Sequence, residues 1–193
     1  MGNERTRTNM VFLFKKYGVP NNMVEIGCFE GLTTFWVSDL CGAVNDVFKL
    51  YAIDPHTVLN NNKYFDFESI KKTFQYNLND STGNVEYINK YSYEGLIDLI
   101  NRKVEAEFIF IDGDHSSAAV LEDMILSWRL LVVGGIMLCD DSIGWKLSDE
   151  KGNYPVQMSP RMGIESFIQT HWHKLEVISV PNSMQTALVK LQD

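Results

Sequence analysis

The stretch Met23-Val-Glu-Ile-Gly-Cys-Phe-Glu-Gly31 constrains the fold of this chain more than any other. A short apolar run breaks there into two glycines and two carboxylates, and Leu32 to Leu40 continues as a helix. Val-Glu-Ile reads as a buried parallel strand, and the glycines let the backbone turn tightly beside a ligand. Strand, glycine turn and helix together predict a nucleotide-like cofactor. A dinucleotide fingerprint needs G-x-G-x-x-G, but Phe29 stands where the middle glycine would be. The pattern is instead E-x-G-x-x-x-G, with Gly27, Gly31 and then Thr33. The plain alternative is a strand-to-helix turn with no ligand.

A pyrophosphate favours bare amides at a helix N-terminus. A cofactor with a sulfonium, an amino-acid tail and a ribose favours nearby carboxylates, and Glu25 and Glu30 supply them. The stretch resembles the first motif of the class I S-adenosylmethionine-dependent methyltransferases, in the form seen in metal-dependent O-methyltransferases.

At 193 residues the chain fits one domain with a substantial core. No window reaches the roughly 18 apolar residues of a membrane helix, and no secretory signal is visible, so a cytoplasmic protein is expected. The net charge of −8, with Lys and Arg scattered rather than gathered into a stripe, disfavours nucleic acid as a partner. Cys28, Cys41 and Cys139 form no C-x-x-C pair and read as buried thiols in a reducing compartment.

Along the chain, residues 1 to 8 read as frayed, and Asn9 as the cap of a helix ending at Gly18, a flap over residues 1–20 against the sheet edge. Lys49 to Asp54 reads as a second strand whose terminal carboxylate, Asp54, is placed to accept from ribose hydroxyls. Residues 55–67, with His56, Tyr64 and Phe65, read either as a ligand-facing loop or as a solvated connection. Glu68 to Asn77 reads as a helix and Val85 to Asn89 as a strand. Ser92 either caps the helix that follows or faces an adenine.

Phe108 to Ile111 is an apolar run expected of a central strand, and it ends in Asp112-Gly-Asp-His115. Ser116 or Ser117 starts a helix that Gly134-Gly135 stops. Ile136 to Cys139 is the fifth strand, ending in Asp140 and Asp141. Residues 142–160 read as a substrate loop with Trp145 and Tyr154. Arg161 to Trp172 is helical, and Leu175–Val180 with Gln185–Leu191 form an antiparallel hairpin. A nicotinamide-binding sheet would continue instead with parallel crossovers.

In a parallel sheet every strand C-terminus lies at one end, so Glu25, Asp54, Asp112, Asp140 and Asp141 gather around one crevice. Clustered like charges are costly unless a cation intervenes. Mg²⁺ or another divalent ion held by Asp112, Asp140 and Asp141 is one resolution; helix and loop capping by these aspartates is the other. Phe-Ile-Phe-Ile-Asp-Gly-Asp-His-Ser, Leu-Glu-Asp and Leu-Leu-Val-Val-Gly-Gly-Ile-Met-Leu-Cys-Asp-Asp resemble the class I group that includes macrolide-sugar and coumarin-sugar O-methyltransferases. They are similar, more distantly, to the catechol and caffeoyl-coenzyme A enzymes.

That resemblance implies a Rossmann-like α/β fold, a mostly parallel seven-stranded sheet with a C-terminal antiparallel hairpin and helices on both faces, in one domain over residues 1–193. It implies Mg²⁺ on Asp112, Asp140 and Asp141, and His115 in a D-x-x-H motif as base. Orienting the carboxylates is the alternative role for His115. Glu25, Gly27, Glu30, Gly31, Thr33, Asp54, Ser92 and Asp112 would bind S-adenosylmethionine. Asp141 where catechol-type enzymes usually have Asn, and His115 where they have Lys, argue against a catechol. The expected reaction is O-methylation of a small-molecule or sugar hydroxyl, with a homodimer as a further expectation. A metal-independent methyltransferase and a non-catalytic S-adenosylmethionine-binding module are the rival readings.

Overall fold

A computed structural model of the chain describes residues 2–57, 65–142 and 159–193. The helices are α1 (Gly2–Tyr17), α2 (Leu32–Gly42), α3 (Phe67–Asp80), α4 (Ser92–Asn101), α5 (Ser117–Leu130) and α6 (Pro160–His171). The strands are β1 (Asn22–Ile26), β2 (Lys49–Ile53), β3 (Val85–Ile88), β4 (Ala106–Ile111), β5 (Leu131–Cys139), β6 (Leu175–Ile178) and β7 (Thr186–Lys190). They form one sheet in the order β3-β2-β1-β4-β5-β7-β6. Strands β1 to β5 pair in parallel, and β7 runs antiparallel between β5 and β6. This is the expected Rossmann-like sheet with its closing hairpin.

The central strands are apolar on both faces because both are covered. Val24, Ile26, Ile53, Ile109, Ile111 and Met137 pack with Leu96 and Leu99 of α4, Met124 and Trp128 of α5 and Phe167 of α6. On the opposite face Met23, Leu50, Phe108, Phe110 and Leu138 pack with Met10, Leu13 and Phe14 of α1 and Val37 of α2. Helix α1 therefore lies on the sheet face, not against its edge. It also starts at Gly2 rather than at Asn9. Asn9 is mid-helix and fully buried, and its amide is spent on tertiary hydrogen bonds instead of a cap.

Two further boundaries differ from the sequence reading. Ser92 is the first residue of α4 rather than its cap, which is Tyr91. Strand β5 begins at Leu131, and Gly134 and Gly135 lie inside it rather than ending α5. Register slips there, from Ala106 opposite Leu131 to Phe108 opposite Ile136, and Gly134 supplies the positive φ of +85° that this bulge needs. The substrate loop expected at 142–160, with Trp145 and Tyr154, falls almost wholly outside the described residues, as does Tyr64.

Candidate active site

The site is assembled by register. Ladder hydrogen bonds continue one residue past the strands, from Gly27 N to Ile53 O (2.9 Å), Asp112 N to Ile26 O (2.8 Å), Asp140 N to Ile111 O (2.9 Å) and Asp54 N to Ile88 O (3.2 Å). Gly27, Asp54, Asp112 and Asp140 therefore stand in one row at the carboxyl end of the sheet. From β1 the sheet grows one way through β2 and β3 and the other way through β4 and β5, so the β1/β4 boundary is the switch point where such sheets open a crevice.

Gly27 sits at that boundary with φ +85°, and a Cβ there would lie 2.1 Å from the carbonyl oxygen of Asp112. Only glycine lets β1 and β4 approach this closely. Gly31, with φ +87°, ends the turn as the N-cap of α2. Between them Phe29 takes φ +50°, a left-handed conformation that costs a non-glycine residue about 1 kcal/mol or more. The Asp54 carboxylate holds the turn in place. Its Oδ2 accepts from Cys28 N (2.8 Å) and Phe29 N (3.0 Å), and its Oδ1 accepts from His56 N (2.7 Å).

His56 is a second brace that sequence reasoning did not single out. Its side chain is buried, with Nε2 2.6 Å from the Phe29 carbonyl oxygen and Nδ1 2.5 Å from the Tyr87 hydroxyl. A carbonyl can only accept, so Nε2 donates to Phe29 O, while the Tyr87 hydroxyl beside Nδ1 also lies within reach of the Asp54 carbonyl oxygen (3.2 Å). The sequence signal was there in Asp54-Pro-His56, immediately after the second strand.

Glu25 lies beneath the turn, 1% exposed, with Oε2 unpartnered among the described residues. Burial, aided by the charges of Asp112 and Asp54 and opposed by Thr34, pushes its pKa up to about 8. Glu30 is exposed and borders a groove of about 590 Å³ shared with Arg7, Trp36 and Asn77. Thr33 is half-buried in the first turn of α2. Ser92 adjoins Asp123 of α5, whose carboxyl burial raises to about 7 while Ser92 pulls it back. Asp123 stands in the Leu-Glu-Asp stretch that carries the resemblance, but the sequence reading gave it no role.

The second half of the site joins the tips of β4 and β5. His115 lies between two carboxylates, with Nε2 3.4 Å from Asp112 Oδ1 and Nδ1 3.4 Å from Asp141 Oδ2. One ligand atom from each of Asp112, His115 and Asp141 falls within 4.8 Å of the others, a spacing that fits a metal ion. Burial disfavours charge on His115, but Asp112, Asp141 and Asp140 outweigh it and hold its pKa above 6.5. Burial likewise raises the Asp112 carboxyl, with His115 pulling against it.

Asp140 stands beside this group rather than within that triad. Burial and the Asp112 charge raise its pKa to about 7, against hydrogen bonds from Gln185 and the Asp141 amide. Asp141 itself takes φ +51°. Phe29, His56 and Asp141 are thus three left-handed non-glycine residues at one end of the sheet, a distribution typical of functional sites.

The glycine turn and the aspartate–histidine cluster are the two parts that the resemblance implies, and comparison with known proteins bears on the family and the fold. A family model described as a methyltransferase domain matches residues 24–142. An uncharacterized protein of Acanthamoeba polyphaga mimivirus is 30% identical over 132 residues, covering 66% of this chain and 54% of the relative. The chain thus spans about half the length of that curated relative.

Among solved structures, the O-methyltransferase from Bacillus cereus in complex with SAH superimposes with a TM-score of 0.63 at 19% identity, over 96% of this chain and 81% of that one. SAH-bound PaMTH1 from Podospora anserina gives 0.62 at 18%, over 98% and 78%. TomG from Streptomyces achromogenes, an O-methyltransferase of tomaymycin synthesis in complex with SAM, gives 0.66 at 12%, over 97% and 80%. At such identities the likeness speaks for the fold, while the family match over the glycine turn and both aspartate-bearing strand tips speaks for membership. The chain belongs to the class I S-adenosylmethionine-dependent methyltransferases.

Proposed function

We propose that the protein is a metal-assisted O-methyltransferase acting on a hydroxyl of a small molecule or sugar in the cytoplasm. The observation that carries this reading is the Asp112–His115–Asp141 cluster, which lies across the β1/β4 crevice from the glycine turn. The Asp112 and Asp141 carboxylates, with Asp140 as a third at the same tip, would hold a divalent ion, and the His115 imidazole beside them keeps its lone pair for the proton. S-adenosylmethionine, when bound, supplies a methyl group on a positively charged sulfur, and Mg²⁺, when bound, supplies Lewis-acid polarisation of the hydroxyl and a template for its direction.

The residues of this chain do the rest. Gly27 and Gly31 let the backbone turn tightly beside the cofactor, where a Cβ would meet Asp112 and Phe35, and Asp54 Oδ1, which among the described residues accepts only from His56 N, has one lone pair left for a ribose hydroxyl. Glu30 sets a negative field from the surface that favours a sulfonium and an ammonium, and Glu25, which holds its proton below the turn, joins it once a bound cation displaces that proton. Thr33 and Ser92 offer hydroxyls at the α2 and α4 N-termini. Transfer frees one proton from the acceptor hydroxyl. His115 takes it at the ring nitrogen that carries no proton and holds it against Asp112 Oδ1 or Asp141 Oδ2. The same carboxylates favour the protonated imidazole, so His115 becomes a better base when their charge is offset.

A second reading, a metal-independent methyltransferase, draws on that last point, because an imidazolium between Asp112 and Asp141 is itself a cation. The two separate on replacing Asp141 with Ala. If the metal-assisted reading holds, Asp141→Ala loses the response of methyl transfer to Mg²⁺ and to chelator, and His115→Ala lowers the rate by about 100-fold or more at neutral pH. A chelator-insensitive wild type would favour the second reading.

A further inference from the structure

A chain of buried side-chain amides runs from α1 to the β5 tip, where it ends on Asp140. Asn9 donates from Nδ2 to Asn182 O (3.0 Å) and to Gln185 Oε1 (2.8 Å), and its Oδ1 accepts from Asn182 N (2.9 Å). Gln185 donates from Nε2 to Thr6 Oγ1 (2.9 Å) and to Asp140 Oδ1 (2.9 Å). Thr6, Asn9 and Gln185 are 2%, 0% and 4% exposed.

Two donors and an acceptor are used on each amide, and the directions are fixed. An aspartate oxygen accepts, so Gln185 must turn its NH₂ toward Asp140. That puts its carbonyl toward Asn9, whose own NH₂ must then face it. Asp140 Oδ1 also accepts from Asp141 N (2.8 Å), which fills its second lone pair. Any ion or proton on Asp140 is thereby directed to Oδ2. The same hairpin turn grips the next residue, because the Ser142 amide and hydroxyl both donate to Met184 O (2.9 and 3.0 Å).

We propose that Gln185 is a positioning residue, oriented by Asn9, that fixes the Asp140 carboxylate for divalent-ion binding at the Asp112–His115–Asp141 cluster. Groups of this kind, which hold a ligand rather than touch the ion, commonly change metal affinity 10- to 100-fold when removed. The inference rests on the metal-assisted reading above. It also gives α1 a role at the site, since Asn9 and Thr6 lie on one face of that helix.

The test is Mn²⁺ titration followed by electron paramagnetic resonance, with S-adenosylhomocysteine affinity measured in parallel by calorimetry, on wild type, Gln185→Met and Asn9→Leu. Gln185→Met keeps the volume and loses the donor. It should weaken Mn²⁺ by about tenfold or more while leaving S-adenosylhomocysteine affinity within about twofold. Asn9→Leu should move Mn²⁺ in the same direction by less, and it decides the matter if Gln185→Met does not fold. Equal Mn²⁺ affinity in all three overturns the proposal alone, as does a loss shared equally by Mn²⁺ and S-adenosylhomocysteine, the mark of a merely structural contact. A wild type that binds no Mn²⁺ overturns the metal-assisted reading and this inference with it.

Discussion

Glu25 shows how one side chain can serve a site at the expense of the fold. A carboxyl held near pKa 8 binds its proton in the folded chain while the unfolded chain, titrating near 4.5, has released it. Below pH 4.5 both states are protonated and nothing is lost. Between 4.5 and 8 the folded state alone keeps the proton, so stability falls as pH rises, by on the order of a few kcal/mol, and levels off above 8. Asp123 and Asp140, raised to about 7, act in the same direction. Glu25→Gln should therefore match wild type near pH 4.5 in urea denaturation and exceed it at pH 8. Parallel stability profiles for the two proteins would refute the assignment. The same residue scale sets what could be read from sequence. Glu25, Gly27, Asp54, Asp112 and His115 were legible because each sits within a motif whose spacing has a physical reason. Gln185 and Asn9 were not, because they meet from 176 positions apart and an isolated amide carries no pattern.

At the scale of elements, the packing of α5 on α6 depends on one missing methyl group. A Cβ at Gly163 would lie 2.4 Å from the carbonyl oxygen of Ser117 in the first turn of α5. Backbone cannot yield as a flexible side chain can, so Gly163→Ala should cost about 1–3 kcal/mol. A thermal melt unchanged from wild type would contradict this close approach. Ser117 is two residues from His115, so the variant should also disturb the cluster more than the glycine turn. Strands and amphipathic helices followed the hydrophobic pattern, and the errors fell where tertiary contacts override local preference. Asn9 reads as a cap until its buried partners Asn182 and Gln185 are known. Gly134 and Gly135 read as a stop until the bulge opposite Ala106 and Phe108 appears.

For the whole molecule, function follows from the order of the strands. The switch between β1 and β4 places the glycine turn beside the first aspartate, and parallel register carries the second and third aspartates to the same level. This much was readable from five strand-like runs, four of them ending in glycine or aspartate, and a final alternating pair. The acceptor was not readable, because residues 55–67 and 142–160, the loops expected to choose it, carry composition without a spaced motif. Among the described residues no helix is long and apolar enough to cross a membrane.

The most direct test of the account is calorimetric titration of the intact protein with S-adenosylhomocysteine, in Mg²⁺ and in chelator, alongside Asp54→Ala. Asp54 both holds the Cys28 and Phe29 amides and faces the crevice, so the account predicts micromolar binding to wild type and a loss of about tenfold or more in the variant. No binding to the wild type under either condition would contradict the reading of the β1/β4 crevice as a cofactor site.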